Sequence, residues 1–233
     1  HICMVGQNSL DLQNVSREIE EVGSTSNSVL ADLSNTHGIL QVLDDCNSPD
    51  VLVANAGITM AGRAGTAPWN DLEKMSFLLG TGVAQLIEGV VPSMVRKGEG
   101  TIIVVSSIAS LIDMPNSAVY AASKSFATRY ASSLAREVGP AGVKVTAVCP
   151  GYVHTNLHRR AGLDHLEKRV PRWLWIDAST VVRAAVAGAQ KGKSVVVPGL
   201  VYRVSLPFLN WSVAQKIWAR ITRRGRSRKG PKA

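Results

Sequence analysis

Short apolar runs alternate along this chain with longer stretches in which apolar positions recur every three to four residues. The runs Ile2 to Val5, Ser28 to Ala31, Val51 to Ala54, Thr101 to Ser106, Val143 to Cys149 and Ser194 to Val197 read as strands. Several of them, TIIVV and VLVA among them, show no polar alternation. A strand of that kind is buried on both faces, which suits a parallel sheet covered by helices on each side. Helical periodicity places helices over Leu10 to Glu21, Thr36 to Cys46, Trp69 to Val95, Ser117 to Val138 and Ala178 to Gln190. Strand and helix alternating without an internal repeat predict an α/β fold with a doubly wound parallel sheet. Right-handed crossovers then gather the C-terminal ends of the strands along one edge, where such sheets bind ligands.

Length and composition narrow the class. The 233 residues with 45% hydrophobic content support one core of ordinary size, and 18% charged residues exclude a wholly disordered chain. No run reaches about 18 uninterrupted apolar residues, so no integral membrane helix is expected. Cys3, Cys46 and Cys149 lie far apart without a C-x-x-C pair, which predicts free thiols in a reducing, cytoplasmic setting. The formal charge of +9 is unevenly placed: residues 1–177 hold every acidic residue and carry a net −3, whereas residues 178–233 carry +12. From Lys216 the chain reads KIWARITRRGRSRKGPKA, a helix-compatible start running into a basic tail. With Trp211, Ile217, Trp218 and Ile221 nearby, that tail suits an anionic membrane surface or an acidic partner, or serves only as a solvated, solubilising appendage. No aromatic-basic motif or Cys/His finger supports nucleic acid as the partner.

The chemistry sits at the predicted strand ends. Asn55-Ala56-Gly57 follows the third strand, Ser106-Ser107 the fourth and Pro150-Gly151-Tyr-Val-His-Thr155 the fifth, while Tyr120-Ala-Ala-Ser-Lys124 opens a helix. Four residues apart on a helix, Tyr120 and Lys124 share a face. A phenol is a poor proton donor or acceptor near neutrality, and an ammonium beside it favours the phenolate, so the pair is read as a proton-transfer couple in which Lys124 lowers the Tyr120 pKa. Ser107, at the end of the preceding strand, offers a hydroxyl to a carbonyl oxygen. Taken singly these motifs are weak: Y-x-x-x-K is common on helix surfaces, and Ser-Ser after a strand is usually a cap.

Together, in this order and spacing, they resemble the short-chain dehydrogenase/reductase family, and the resemblance runs from about His1 to Tyr202. It implies a Rossmann-type domain over residues 1–202, a C-terminal extension over 203–233, and NAD(P)-dependent interconversion of a carbonyl and a secondary alcohol. It also implies Tyr120 as general acid, Ser107 orienting substrate and Lys124 holding the nicotinamide ribose. By the same resemblance Asn55, Ala56 and Gly57 pass the adenosine ribose, Asp32 faces the adenine amino group, and Pro150, Gly151, Val153 and Thr155 approach the nicotinamide. Homodimers or homotetramers, associating through the helices near Trp69 to Val95 and Ser117 to Val138, follow as a family expectation. Locally, Asp32 also reads as a helix cap and Asn55-Ala56-Gly57 as a turn. His154, His158 and His165 near Arg159 and Arg160 include an H-x-x-x-H spacing but no convincing third ligand, so no metal site is expected. Trp173, Leu174 and Trp175 read as a helix-docking cluster or one wall of an apolar pocket.

The chain departs from the family pattern twice. The T-G-x-x-x-G-x-G segment that cradles pyrophosphate is absent, and HICMVGQN looks like the second strand of the fold. The expectation is therefore that the first strand and helix, normally central in the 3-2-1-4-5-6 order, are missing, with weak NAD(P) binding and unpaired strand edges as consequences. The second departure is Leu79 beside Gly80, where the family usually has an Asn three residues before the position of Gly82. Both departures keep open a rival reading, a catalytically impaired binding or oligomer-partner module. Gly6-Gln7-Asn8 offers no acid for the free ribose 2′-OH of NAD, which tips coenzyme choice toward NADP. Residues 162–200 resemble actinobacterial ketoacyl- or mycolate-type reductases, implying an apolar substrate such as a 3-oxoacyl species, with a steroid or simple ketone as alternatives.

Overall fold

The structure is a computed structural model describing residues 1–155 and 170–209. Strands β1 (Ile2–Gly6), β2 (Ser26–Leu30), β3 (Val51–Ala54), β4 (Gly100–Val105) and β5 (Val143–Val148) alternate with helices α1 (Ser9–Glu21), α2 (Thr36–Asp45), α3 (Trp69–Ser76), α4 (Gly82–Lys97) and α5 (Ala118–Val138). Short strands β6 (Tyr152–Val153) and β7 (Trp175–Ile176), helix α6 (Ala178–Gln190), strand β8 (Val195–Val196) and helix α7 (Leu200–Leu209) complete the described order. The central strands and α6 match the expected elements to within two residues, whereas α7 was not anticipated.

Every strand pair is parallel. β3-β4-β5-β8 form one sheet, β2 pairs with β1 in a second, and β6 with β7 in a third. β1 and β3 therefore each keep one edge with no strand partner among the described residues. The two larger sheets are held together through side chains: Val29, Ala31, Ile39, Val42 and Leu86 form a buried cluster against which Cys3, Val5 and Leu52 pack. Cys3 and Cys46 are also bonded to each other, with Cα atoms 6.0 Å apart, and only Cys149 remains free. That corrects the expectation of three free thiols, because the fold brings the β1 cysteine against the end of α2. Closing a loop across a sequence separation of 43 stabilises a chain by about 2–4 kcal/mol. Urea unfolding with and without dithiothreitol should show that loss on reduction; identical curves would mean that the bond does not form in solution.

The period-two alternation within β4 explains the layering. Ile102 and Val104 face Ile87, Val90 and Met94 of α4 and Ala127, Ala131 and Leu134 of α5. Ile103 faces the opposite side, against Val148 and against Val181, Ala185 and Ala189 of α6. A strand covered on both faces has no place for polar alternation, which accounts for the TIIVV run. The predicted helix from Trp69 to Val95 is interrupted by a π-turn over Phe77–Thr81, which carries the buried Leu79 and Gly80. π-turns inside helices often lie at functional sites. The combined span Trp69–Lys97 is apolar and long enough to cross a membrane, yet Met75, Leu79, Ile87 and Met94 on it are buried in the protein, as in a core helix.

Candidate functional site

Because the strands are parallel, Gln7, Asp32, Asn55 to Gly57, Ser106-Ser107 and Pro150-Gly151 all follow the C-terminal ends of their strands. The site is built where α5 is stitched onto the end of β4. Ser106 is buried; its hydroxyl donates to the Lys124 carbonyl at 3.1 Å and lies 2.6 Å from the Thr128 hydroxyl. Thr128 donates to Ser110 Oγ at 2.9 Å, and Ser125 donates to the Ser110 carbonyl at 2.9 Å. These bonds fix the rotation of α5, so that Lys124 turns inward and donates from Nζ to the Val105 carbonyl at 2.8 Å. A Cβ added at Gly57 would sit 3.8 Å from that Nζ and 3.4 Å from Leu79 Cδ2. Asn55-Ala56-Gly57 itself is exposed, leaving open backbone beside the Lys124 ammonium.

Ser107 begins a 3-10 turn over Ile108–Ser110, where its hydroxyl accepts from the Ala109 N–H at 3.1 Å. The Ser107 hydroxyl also lies near Tyr120, whose pKa it acts to lower. Ser107 and Tyr120 are thus neighbours, and Lys124 stands one turn further along α5 with its amine on the Val105 carbonyl. The electrostatics differ from expectation. Burial raises the Tyr120 pKa, with only the Ser107 hydroxyl opposing it. Lys124 does not contribute to that shift, because its head is turned to Val105 and is itself desolvated, which lowers it from 10.5 to about 8. Burial outweighs the charge effect that helix spacing suggests.

Asp32 lies beyond β2 as a turn cap: its carboxylate accepts from the Ser34 N–H at 2.9 Å and from Gln7 Nε2 at 2.6 Å, which holds its pKa below the usual carboxylate value. Pro150 is buried, and its carbonyl accepts from the Ile108 N–H at 2.8 Å, joining the fifth-strand motif to the Ser107 turn. Val153 lies in β6, and Thr155 is exposed just beyond it. His154 stacks on Trp175 with ring centroids 4.9 Å apart, and the described residues hold no cluster able to bind a metal. His158, His165, Arg159 and Arg160 lie outside the described residues, as do the tail and Trp211, Ile217, Trp218 and Ile221. In the Trp173–Trp175 cluster, Leu174 and Trp175 are buried while Trp173 is exposed.

A sequence profile of the short chain dehydrogenase family matches residues 1–165. The chain belongs to the short-chain dehydrogenase family. It is 31% identical over 160 residues to an uncharacterized oxidoreductase of Myxococcus xanthus, an alignment covering 67% of this chain and 63% of that protein. It is 32% identical over 164 residues to dehydrogenase/reductase SDR family member 7B of Mus musculus, covering 67% and 51% respectively. The chain therefore spans about half to two thirds of the length of these relatives. Among solved structures, a short-chain dehydrogenase from Sphingobium yanoikuyae in complex with NADPH superposes with a TM-score of 0.78 at 22% identity, covering 98% of this chain and 88% of that one. That likeness establishes the Rossmann-like fold.

Sequence reasoning missed several parts of this short-chain dehydrogenase site. The Lys124 acceptor is a backbone carbonyl, which no residue pattern reveals. Thr128 was legible in principle, since positions 120, 124 and 128 recur on one helix face. Tyr202, discussed below, meets the site from 50 residues away.

Proposed function

We propose that this short-chain dehydrogenase interconverts a carbonyl and a secondary alcohol with NAD(P). The observation that carries the reading is Tyr120 near the Ser107 hydroxyl, on the same helix as a buried Lys124 that faces the open backbone of Gly57. With burial keeping its phenol protonated, Tyr120 gives its proton to the substrate oxygen during reduction and takes one back during oxidation. Ser107 donates to that same oxygen as negative charge develops on it. A nicotinamide cofactor supplies the hydride. The residues fit one: Gly57 leaves room beside Lys124, which would hold the ribose, Asn55 and Ala56 line the same edge, and Pro150, Gly151, Val153 and Thr155 take the nicotinamide end. Asp32, already tied to Gln7, takes the adenine end. The lack of an acid at Gly6-Gln7-Asn8 favours NADP over NAD.

In the same reading, the sheet lacks a strand between β1 and β3. Three observations support it: the unpartnered edges of β1 and β3, the exposed Val51 and Val53 on β3, and the exposed Val182 and Val186 on α6. With that strand in place the order becomes that of a continuous Rossmann sheet, and its following loop meets the pyrophosphate at a helix N-terminus. The substrate is apolar, an acyl chain or bulky ketone lying toward Ile108 and the Leu174–Trp175 wall. Association into homodimers or homotetramers uses the outer faces of α4 and α5, where Phe126 is exposed and stacked along Tyr130. The basic tail meets an anionic membrane surface or an acidic partner, or stays solvated. A silent module is the rival reading, favoured by Leu79 in place of a polar relay residue.

Fluorescence titration with NADPH and NADH separates the readings. Binding, tighter for NADPH, is expected. If neither cofactor binds, the silent-module reading replaces the enzyme.

A further inference from the structure

We infer that Tyr202 is a positioning residue that sets the Pro150–Thr155 segment against the Ser107–Tyr120 pair. The inference rests on the function proposed above for that segment. Tyr202 belongs to α7 and is buried, only 3% exposed. Its hydroxyl accepts from the Tyr152 N–H at 3.0 Å and donates to the Leu174 carbonyl. One phenol thereby ties together two segments on either side of residues 156–169: β6, and the turn that leads into β7. Those two strands pair directly, Tyr152 with Trp175 and Val153 with Ile176. The Tyr152 and Trp175 rings add a contact at 5.4 Å between centroids.

The ring matters as much as the hydroxyl. A Cβ at Gly151 would lie 1.9 Å from the Tyr202 ring. Gly151 is not among the glycines of positive φ, so the residue is required by space and not by backbone conformation. From Gly151 the connection to the chemistry is short: the neighbouring Pro150 carbonyl accepts from Ile108 N–H, and Ile108 follows Ser107. Moving the Tyr202 ring therefore moves the Pro-Gly backbone and the turn that presents the Ser107 hydroxyl. Burial raises the Tyr202 pKa to about 12, so the phenol remains a donor to Leu174 through the working pH range.

The test has two arms that need no turnover and one that does. In Tyr202→Phe, which keeps the ring, hydrogen exchange of the peptide holding the Tyr152 amide should accelerate about tenfold, the loss of one hydrogen bond, while β4 and α5 peptides stay unchanged. In a double-mutant cycle, Gly151→Ala should lower the unfolding midpoint in the wild-type background and cost nothing further in Tyr202→Ala, where the ring is gone. In steady state, Tyr202→Phe should raise the cofactor KM about tenfold with a smaller change in kcat. Unchanged exchange at Tyr152, equal costs of Gly151→Ala in both backgrounds, or an unmoved KM each overturn the inference. Failure of the proposed reductase function reads separately, as absent cofactor binding in the unsubstituted protein.

Discussion

Replacing Tyr120 by Phe is expected to lower carbonyl turnover by about 10²–10⁴-fold, the usual worth of a positioned proton donor, while cofactor binding changes less than twofold. The substitution removes one oxygen and keeps the ring that fills its half-buried place on α5. The interaction with Ser107 is lost, at a cost of at most about 1 kcal/mol in stability, too little to unfold the domain. The direction of the pKa shift shapes the rest of the expectation. Burial raises the phenol above its ordinary value of 10.0, so reduction, which needs the protonated form, should be flat through neutral pH in the unsubstituted protein. Oxidation, which needs the phenolate, should climb as pH rises toward that value. Steady-state assays in both directions, with stability followed in parallel by urea unfolding, check the set. Retention of more than a tenth of the wild-type kcat by Tyr120→Phe would remove Tyr120 from the chemistry.

How much of this was legible beforehand depends on the range of the interaction. The TIIVV and VKVTAV strands and the α5 periodicity are local patterns, and they predicted β4, β5 and the pairing of Tyr120 with Lys124 on one helix face. Whatever depends on residues distant in sequence was not legible. Cys3 meets Cys46 only because α2 packs beside β1, and Tyr202 reaches Tyr152 across 50 positions. Spacing made an ammonium beside a phenol look like a device for lowering the phenol. The fold instead desolvates both groups and turns the ammonium to the Val105 carbonyl, so desolvation sets the sign at Tyr120 and at Lys124 alike. The π-turn at Phe77–Thr81 escaped for a related reason: an extra residue in a helical turn leaves the apolar periodicity nearly intact.

Lys124 is where stability and function should part. Its amine is buried, with a backbone carbonyl for a partner and a pKa lowered from 10.5 to about 8. Each unit of depression is worth about 1.4 kcal/mol, so carrying the charged amine in the fold costs roughly 3 kcal/mol below pH 8. Lys124→Met keeps the length of the side chain and removes that cost. It also strips the Val105 carbonyl of a donor, at about 1 kcal/mol, so the variant should be more stable at neutral pH by roughly 2 kcal/mol. The sign follows from proton counting. Between about pH 8 and 10.5 the unfolded lysine keeps a proton that the folded one has lost, so wild-type stability rises with pH across that window, whereas the Met variant lacks this rise. Its advantage should be gone by pH 10.5. Over the same range its carbonyl reduction should fall by about 10²-fold or more, because the cation beside Gly57 and the proposed ribose site has been removed. Urea unfolding near neutrality and again near pH 10, beside steady-state rates, measures both halves. A variant less stable than wild type at neutral pH would mean that the buried amine is stabilised by its surroundings, and the desolvation account of Lys124 would fail.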